Sequence, residues 1–311
     1  MDTKPGSALD EFLDNMFALL EWIEPQANGD RQRIQVVVAS YFLRFALGTD
    51  WHDKYVRLSD TPDPWLLNAT DKWYLANRPD EVARRSVFSY RIVRLANAFF
   101  TLIKRGTSAS AFELLRRRLQ TAPDVQPTFV EIEVASFLVR NGAEVRVIEE
   151  SGIRGQDFDF LAISDGMEVS VEVTSLRHRP LTVQTISNKF KEKRSQVPDG
   201  RPAVLYMGIP AEWMVDSATA YSVFTEAATR FMRGSHRYNA FTLLWEAEVL
   251  SGTRPATRLT TQSCYHNNPR HRLSGGTVFD MQSEAADRGM ADSLLEFLEA
   301  VRAKRAATKP K

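Results

Sequence analysis

Apolar positions in the first third of the chain recur every three or four residues, which is the spacing of amphipathic helices. This pattern predicts helices over Ala8–Ile23, Arg31–Leu47 and Asp80–Lys104. Asp30 stands directly before the second helix, where an N-cap residue is expected. The first third contains little strand pattern, so we predict an all-α domain over residues 1–124.

Beyond Pro127 the pattern changes to short β-rich runs that alternate with helices. The predicted strands are Glu144–Ile148, Asp157–Ile163, Met167–Thr174, Ala203–Ile209 and Ala240–Trp245. The predicted helices are Thr128–Asn141, Gln184–Gln196 and Ser217–Met232. Such an order predicts an α/β domain, with a mixed sheet flanked by helices, over residues 125–250. Residues 251–311 are predicted to form an irregular loop and a C-terminal helix that packs on this domain.

Carboxylates fall on one face of two neighbouring predicted strands. Side chains alternate along a strand, so Asp157 and Asp159 share a face of the first, and Glu172 lies among the polar residues of the second. If the strands pair through the turn at 164–166, either Asp157 or Asp159 reaches the level of Glu172. Hard cations require oxygen ligands, and two or three carboxylates suffice for Mg²⁺. The strands therefore predict a site for Mg²⁺ or Mn²⁺.

The helix before these strands offers a third acid. Glu131 shares its face with Val134 and Leu138, in the stripe expected to pack on the sheet, whereas Glu133 is expected to be more exposed. An acid within an apolar stripe costs stability unless it is paired or bound. Glu131 is therefore the stronger candidate.

The order of these residues resembles the core of the PD-(D/E)XK nuclease superfamily. The resemblance comprises Glu131 on a helix followed by a glycine, then G-Q-D-F-D-F-L, V-E-V-T and a helix with K-F-K-E-K-R-S-Q. It covers residues 128–209. The resemblance implies a restriction-endonuclease-like fold and an enzyme that uses a divalent metal to hydrolyse the phosphodiester bonds of DNA. Carried over, the metal-binding roles fall on Glu131, on Asp159 or Asp157, and on Glu172.

One residue departs from this pattern. The superfamily has a lysine two residues after the last acid, where it orients or activates the attacking water, and this chain has Thr174 there. The lysine can have migrated to Lys189 or Lys193, which lie one turn apart on the sheet-facing stripe of the next predicted helix. Alternatively, the chain is a catalytically inactive nuclease-fold protein that binds nucleic acid or serves protein assembly. Migration is favoured because the carboxylates are retained together.

Charge is balanced over the chain but not along it. The 311 residues carry 40 basic and 39 acidic side chains, a formal net charge of +1. Residues 177–194 contain six basic side chains and one acid, and residues 227–279 contain seven arginines interleaved with aromatics. Arginines and aromatics suit backbone and base contacts with nucleic acid, although a solvated helix face beside core aromatics gives the same pattern.

Cysteine content and hydropathy limit the remaining classes. Cys264 is the single cysteine, which excludes an intramolecular disulfide and a cysteine-built zinc site. Acids occupy the start of the chain, and the apolar runs are too short to span a bilayer. We therefore expect a cytoplasmic protein without a membrane partner, and a possible protein partner or homo-oligomer through the helical domain.

Overall fold

The structure is a computed structural model that forms two compact units. It describes residues 5–57, 79–121, 125–149, 151–153, 155–176, 180–251, 254–273, 276–281 and 292–308. The first unit comprises Met1–Phe100 together with Asp292–Lys311, and the second comprises Thr101–Ala291. Among the described residues, no helix is both long and apolar enough to cross a membrane.

Helices form the described part of the first unit. They are α1 (Pro5–Ala27), α2 (Arg31–Leu47), α3 (Thr49–His52), a π-helical turn (Asp53–Arg57), α4 (Pro79–Lys104, to Phe100 in this unit) and α9 (Leu294–Thr308). The three helices expected from apolar periodicity are present, with ends within a few residues of the prediction. Asp30 caps α2, because its side chain accepts a hydrogen bond of 3.2 Å from the N–H of Arg33.

The C-terminal helix packs on the first unit, which corrects the expectation that it packs on the α/β domain. α9 contacts α1 and α2, and Leu294, Leu295 and Leu298 form its buried side. On its charged side, Arg302 pairs with Glu24 through its two terminal guanidinium nitrogens, Nη2 and Nη1, at 2.6 and 3.1 Å. The domain boundary was predicted near residue 124, whereas the two compact units divide after residue 100.

The second unit is mixed α/β, as predicted. Its elements are α5 (Ala109–Thr121), α6 (Val125–Arg140), β1 (Glu144–Val147), β2 (Phe160–Ser164), β3 (Met167–Ser175), α7 (Val183–Arg194), β4 (Ala203–Gly208), α8 (Ser217–Gly234), β5 (Tyr238–Ser251) and β6 (Arg254–Tyr265). Short 3₁₀ helices occupy Ala211–Asp216 and Gly276–Phe279. The helix α5 was not predicted, and it belongs to this unit rather than to a separate N-terminal domain.

Six strands form one sheet in chain order, from β1 to β6. The first three are antiparallel, β4 and β5 are each parallel to the strand before, and β6 returns antiparallel to β5. β2 and β3 join through the predicted turn, in which Asp165 and Gly166 have φ of 50° and 75°. β6 was not predicted, because its many polar residues hide the strand signal and its end falls where an irregular loop was expected.

Helices cover both faces of the sheet. α6 lies so close to β4 that a Cβ added to Gly208 would meet Cγ2 of Val130 at 3.0 Å. Side chains alternate, so Leu205 points to the other face, where it shares a core with Phe190 of α7 and Phe224 of α8. Leu205 is paired in register with Glu172 of β3. Glu172 therefore lies on the α7 face of the sheet.

Candidate active site

The candidate site lies where β2 and β3 separate. Pairing between these strands runs from the turn to Phe160 opposite Val171. The next residue outward, Asp159, accepts a hydrogen bond of 2.7 Å at Oδ2 from the N–H of Val173. Its own carbonyl accepts the N–H of Ile148 at 2.9 Å. These bonds hold Asp159 at the level of Glu172, the position that register counting left open between Asp157 and Asp159.

Glu172 is a buried acid with one paired and one unpaired oxygen. It is 1% exposed, and its Oε1 lies 2.5 Å from Nζ of Lys193. Its Oε2 is buried and has no hydrogen-bond partner among the described residues. Burial, assisted by the charge of Asp159 and opposed by Lys193, raises the pKa of Glu172 above its ordinary value. Among the described residues, only one of the two carboxylate oxygens of Glu172 is therefore paired.

Lys193 is the cation of this site and stays charged at neutral pH. Its side chain is 13% exposed, and burial by itself would lower its pKa. Burial is the largest single influence, but the carboxylates of Glu172, Asp159 and Glu192 together outweigh it, so that the pKa of Lys193 lies above its ordinary value. Lys193 can therefore stabilise negative charge or donate a hydrogen bond to water.

Glu131 reaches the same cluster from α6 and pairs with an arginine that sequence reasoning missed. Nη1 of Arg118, on α5, lies 3.0 Å from Oε2 of Glu131 and 3.9 Å from Oδ1 of Asp159. Nη2 of Arg118 donates to the carbonyl of Ile148 at 2.5 Å. Burial and the charge of Asp159 raise the pKa of Glu131 to about 7, against the pull of Arg118.

Two of the predicted site residues lie apart from this cluster. Asp157 precedes β2 and accepts hydrogen bonds from the N–H and hydroxyl of Ser151, at 2.7 and 2.8 Å. These bonds lower the pKa of Asp157, as expected for a loop cap. Lys189, one turn before Lys193 on α7, pairs at 2.7 Å with Glu192 of the same helix. Between the alternatives that the sequence left open, the geometry favours Asp159 and Lys193.

Burial on α6 differs from the helical-wheel expectation. Glu133 is 3% exposed, whereas the side chain of Glu131 is 16% exposed. The expectation failed because α6 is covered by α5 as well as by the sheet, so that its polar face is also buried. Thr174, in the position of the missing lysine, is also buried on β3.

The end of α7, and with it Lys193, is fixed by residues from the start of β5. The hydroxyl of Tyr238 donates to the carbonyl of Lys193 at 3.0 Å. Arg237 donates from Nη1 to the carbonyls of Arg194 and Val197, at 3.0 and 3.2 Å. These bonds tie the last turn of α7, and the loop after it, to the residues at the start of β5. Burial, together with the charge of Glu172, raises the pKa of Tyr238 well above its ordinary value.

The carboxylate oxygens of this cluster are chemically suited to binding a hard divalent cation. Within the described residues, no three His, Cys, Asp or Glu side chains are grouped closely enough to hold a metal ion, and Arg118 and Lys193 contact two of the acids. The oxygens of Glu131, Asp159 and Glu172 are nevertheless the ligand type that Mg²⁺ or Mn²⁺ prefers. The unpaired Oε2 of Glu172 is an acceptor that such a cation could satisfy.

Part of the predicted basic surface is neutralised or structural. Arg237 and Arg270 both pair with Asp199, at 2.5 and 3.4 Å. His236 and His266 donate to the backbone carbonyls of Asn268 and Met232, at 2.8 and 3.0 Å. Arg177 and Arg179 lie outside the described residues. These contacts account for several cations and histidines of residues 227–279 without a ligand.

One signal could have identified Arg118 from the sequence. Arg118 comes seven residues after Ala111 and three residues after Leu115, which places all three on one side of the helix. Both Ala111 and Leu115 are buried. Arg118 therefore occupies a core-facing position of α5, which Arg117 does not. No sequence signal identifies Tyr238, because its contact with α7 joins segments that are 45 residues apart.

Comparisons of the chain with protein-family models, curated proteins and solved structures found no match. Function is therefore argued from the geometry of the site.

Proposed function

We propose that the protein is a divalent-metal-dependent nuclease that hydrolyses phosphodiester bonds, with DNA as the substrate that the sequence resemblance implies. The observation that carries this proposal is the contact of Lys193 with Glu172 beside Asp159. It brings a lysine ammonium from α7 to the strand whose own lysine position is occupied by Thr174.

The order of elements supports a restriction-endonuclease-like core. α6 is followed by three antiparallel strands, then by α7 and by β4, which is parallel to β3. The acids lie on α6, directly before β2 and on β3, in the order that the resemblance implies. β5 and β6 extend this core beyond the region that the resemblance covers.

The residues of the site divide the chemistry between them. Mg²⁺ or Mn²⁺, when bound, would supply the charge that polarises a phosphodiester and acidifies a bound water. Asp159, Glu172 and Glu131 would hold it. Lys193, charged and directed at this cluster, would stabilise the negative charge that develops on the phosphate oxygens.

Cleavage of supercoiled plasmid with Mn²⁺ tests the proposal, with Lys193→Met compared against Lys189→Met. Both variants remove one ammonium from α7, but only Lys193 contacts Glu172. We expect Lys193→Met to lower the nicking rate by about a hundredfold or more, as loss of one transition-state donor does, and we expect Glu172→Gln to lower it at least as far because it removes a proposed metal ligand. Lys189→Met should retain the rate within about threefold. No nicking by the unaltered protein would contradict the proposal.

A second candidate is a nuclease fold that binds nucleic acid or assembles with proteins without cleaving. It is favoured by Arg118 and Lys193, which compensate two of the acids from within the protein. Retardation of a DNA duplex on a native gel, without cleavage at any Mn²⁺ concentration, would support this candidate.

A further inference from the structure

Arg118 faces two of the three acids with a single atom. Its Nη1 lies 3.0 Å from Oε2 of Glu131 and 3.9 Å from Oδ1 of Asp159. The other nitrogen, Nη2, is anchored on the carbonyl of Ile148 at 2.5 Å. Three contacts therefore hold the guanidinium of α5 against the acid cluster.

An arginine in this position acts on both charge and ligand geometry. A guanidinium cannot lose its proton in a protein, so its positive charge remains at every accessible pH. While Oε2 of Glu131 accepts from Arg118, that lone pair is not available to a metal ion. The positive charge also lowers the local affinity for any other cation.

We propose that Arg118 is a built-in competitor of the divalent cation. It neutralises Glu131 and Asp159 in the cation-free protein, and it releases Glu131 when that carboxylate ligates the metal. This inference rests on the proposed function of the same site. It assigns to α5, which lies outside the region of resemblance, control over how tightly the site binds its cation.

The opposite role would be positioning, in which Arg118 holds Glu131 in the orientation that a metal requires. The two roles predict opposite changes in metal affinity. Removing a competitor tightens cation binding, whereas removing a positioning residue weakens it. A direct measurement of Mn²⁺ binding, without substrate or turnover, separates them.

The experiment is titration calorimetry of Mn²⁺ into the full chain, with Arg118→Gln compared against Arg117→Gln. Arg117 is the adjacent residue of α5 and pairs on the surface with Glu149, at 3.2 Å. We expect Arg118→Gln to tighten Mn²⁺ binding by about tenfold, a coupling typical of two linked sites. Arg117→Gln should leave the Kd unchanged within about twofold, since an exposed ion pair contributes little.

Two further variants make the result decisive. In Glu131→Gln the carboxylate that Arg118 holds is absent, so adding Arg118→Gln to it should tighten binding less than in the unaltered chain. Arg118→Lys keeps the charge but loses the planar fork that reaches both Glu131 and Ile148. It should tighten binding by about two- to threefold, and it replaces Arg118→Gln if circular dichroism shows that variant to be unfolded.

Each outcome decides one claim. Weaker or unchanged Mn²⁺ binding in folded Arg118 variants would overturn the competitor role while leaving the metal site intact. Failure of the unaltered protein to bind Mn²⁺ would overturn the metal site itself, and the competitor role with it. That second failure is visible in the unaltered chain alone, before any variant is made.

Discussion

Ion pairs of the same chemical kind stand in different surroundings in the two units. In the first unit, Arg302 of α9 meets Glu24 with side chains 34% and 37% exposed. In the second, Lys193 meets Glu172 with side chains 13% and 1% exposed. Exposed pairs contribute roughly 0–1 kcal/mol, whereas loss of one partner of a buried pair costs roughly 3–5 kcal/mol.

This difference shows which pairs need an explanation beyond packing. The pairs of α9 lie beside a buried apolar side, which gives the helix most of its binding energy. Burying Glu131, Asp159 and Glu172 together works against stability, because burial and mutual repulsion raise the pKa of Glu131 and of Glu172. Strongly shifted acids that gather at one point are typical of sites with chemistry.

The largest expected effect is on the free energy of unfolding, when one partner of the buried pair between Lys193 and Glu172 is removed. Lys193→Met leaves the Glu172 carboxylate buried without a cation, and we expect a loss of about 3 kcal/mol. Lys193→Met combined with Glu172→Leu should recover most of that loss, because an apolar pair of similar volume is tolerated in the core. Urea unfolding of the full chain measures both.

Arg302→Met is the matched control from the first unit. It removes one cation from an exposed pair, and we expect it to cost less than about 1 kcal/mol. Equal losses for Arg302→Met and Lys193→Met would remove the distinction between the two kinds of pair, and with it one argument for the candidate site.

The next effect is the pH dependence of stability in metal-free buffer. Burial raises the pKa of Glu131 to about 7 in the folded chain, against 4.5 in the unfolded chain, and it raises the pKa of Glu172 in the same direction. Above pH 4.5 the folded state therefore binds more protons than the unfolded state, and stability falls as pH rises through the folded-state pKa of each acid. We expect a loss of about 1 kcal/mol from Glu131 between pH 6 and pH 9, and a further loss from Glu172.

Glu172→Gln tests the origin of this slope, since glutamine does not titrate. The variant should show a flatter decline of unfolding free energy with pH, measured by urea unfolding at each pH. Glu24→Gln, from the exposed pair, should keep the slope of the unaltered chain. A slope that does not change in Glu172→Gln would assign the decline to other groups.

The elements of the fold could be predicted where local pattern decides them. α2 begins after its N-cap, and β2 and β3 pair through the turn that alternation indicated. β6 was missed because polar residues interrupt its apolar pattern. α5 lies within the predicted all-α region, but it was not singled out as a helix of its own. The placement of α9 could not be predicted, because it depends on a surface formed by α1 and α2, far away in the sequence.

The acids of the site could be predicted more completely than its cations. Alternation on β3 and the order of the motif singled out Glu172, since those are local properties. Choosing Lys193 over Lys189 required the angle at which α7 crosses the sheet, which periodicity does not give. Arg118 was not considered, although it lies on the buried stripe of α5, because its contact with Glu131 depends on how α5 packs on α6, which is not a local property of the sequence.

The smallest expected effect concerns Tyr238, which acts on the site through Lys193. Tyr238→Phe removes one hydrogen bond to the carbonyl of Lys193 and keeps the ring in the core, so we expect a loss of about 1 kcal/mol in stability. If that bond sets the position of the Lys193 ammonium, the nicking rate should fall by about tenfold while the Kd for Mn²⁺ stays the same. Tyr221→Phe is the control, because it also removes one tyrosine hydroxyl, from a ring that packs on Trp245. A fall in stability with an unchanged rate would show that Tyr238 supports only the end of α7, and that Glu172 alone fixes Lys193.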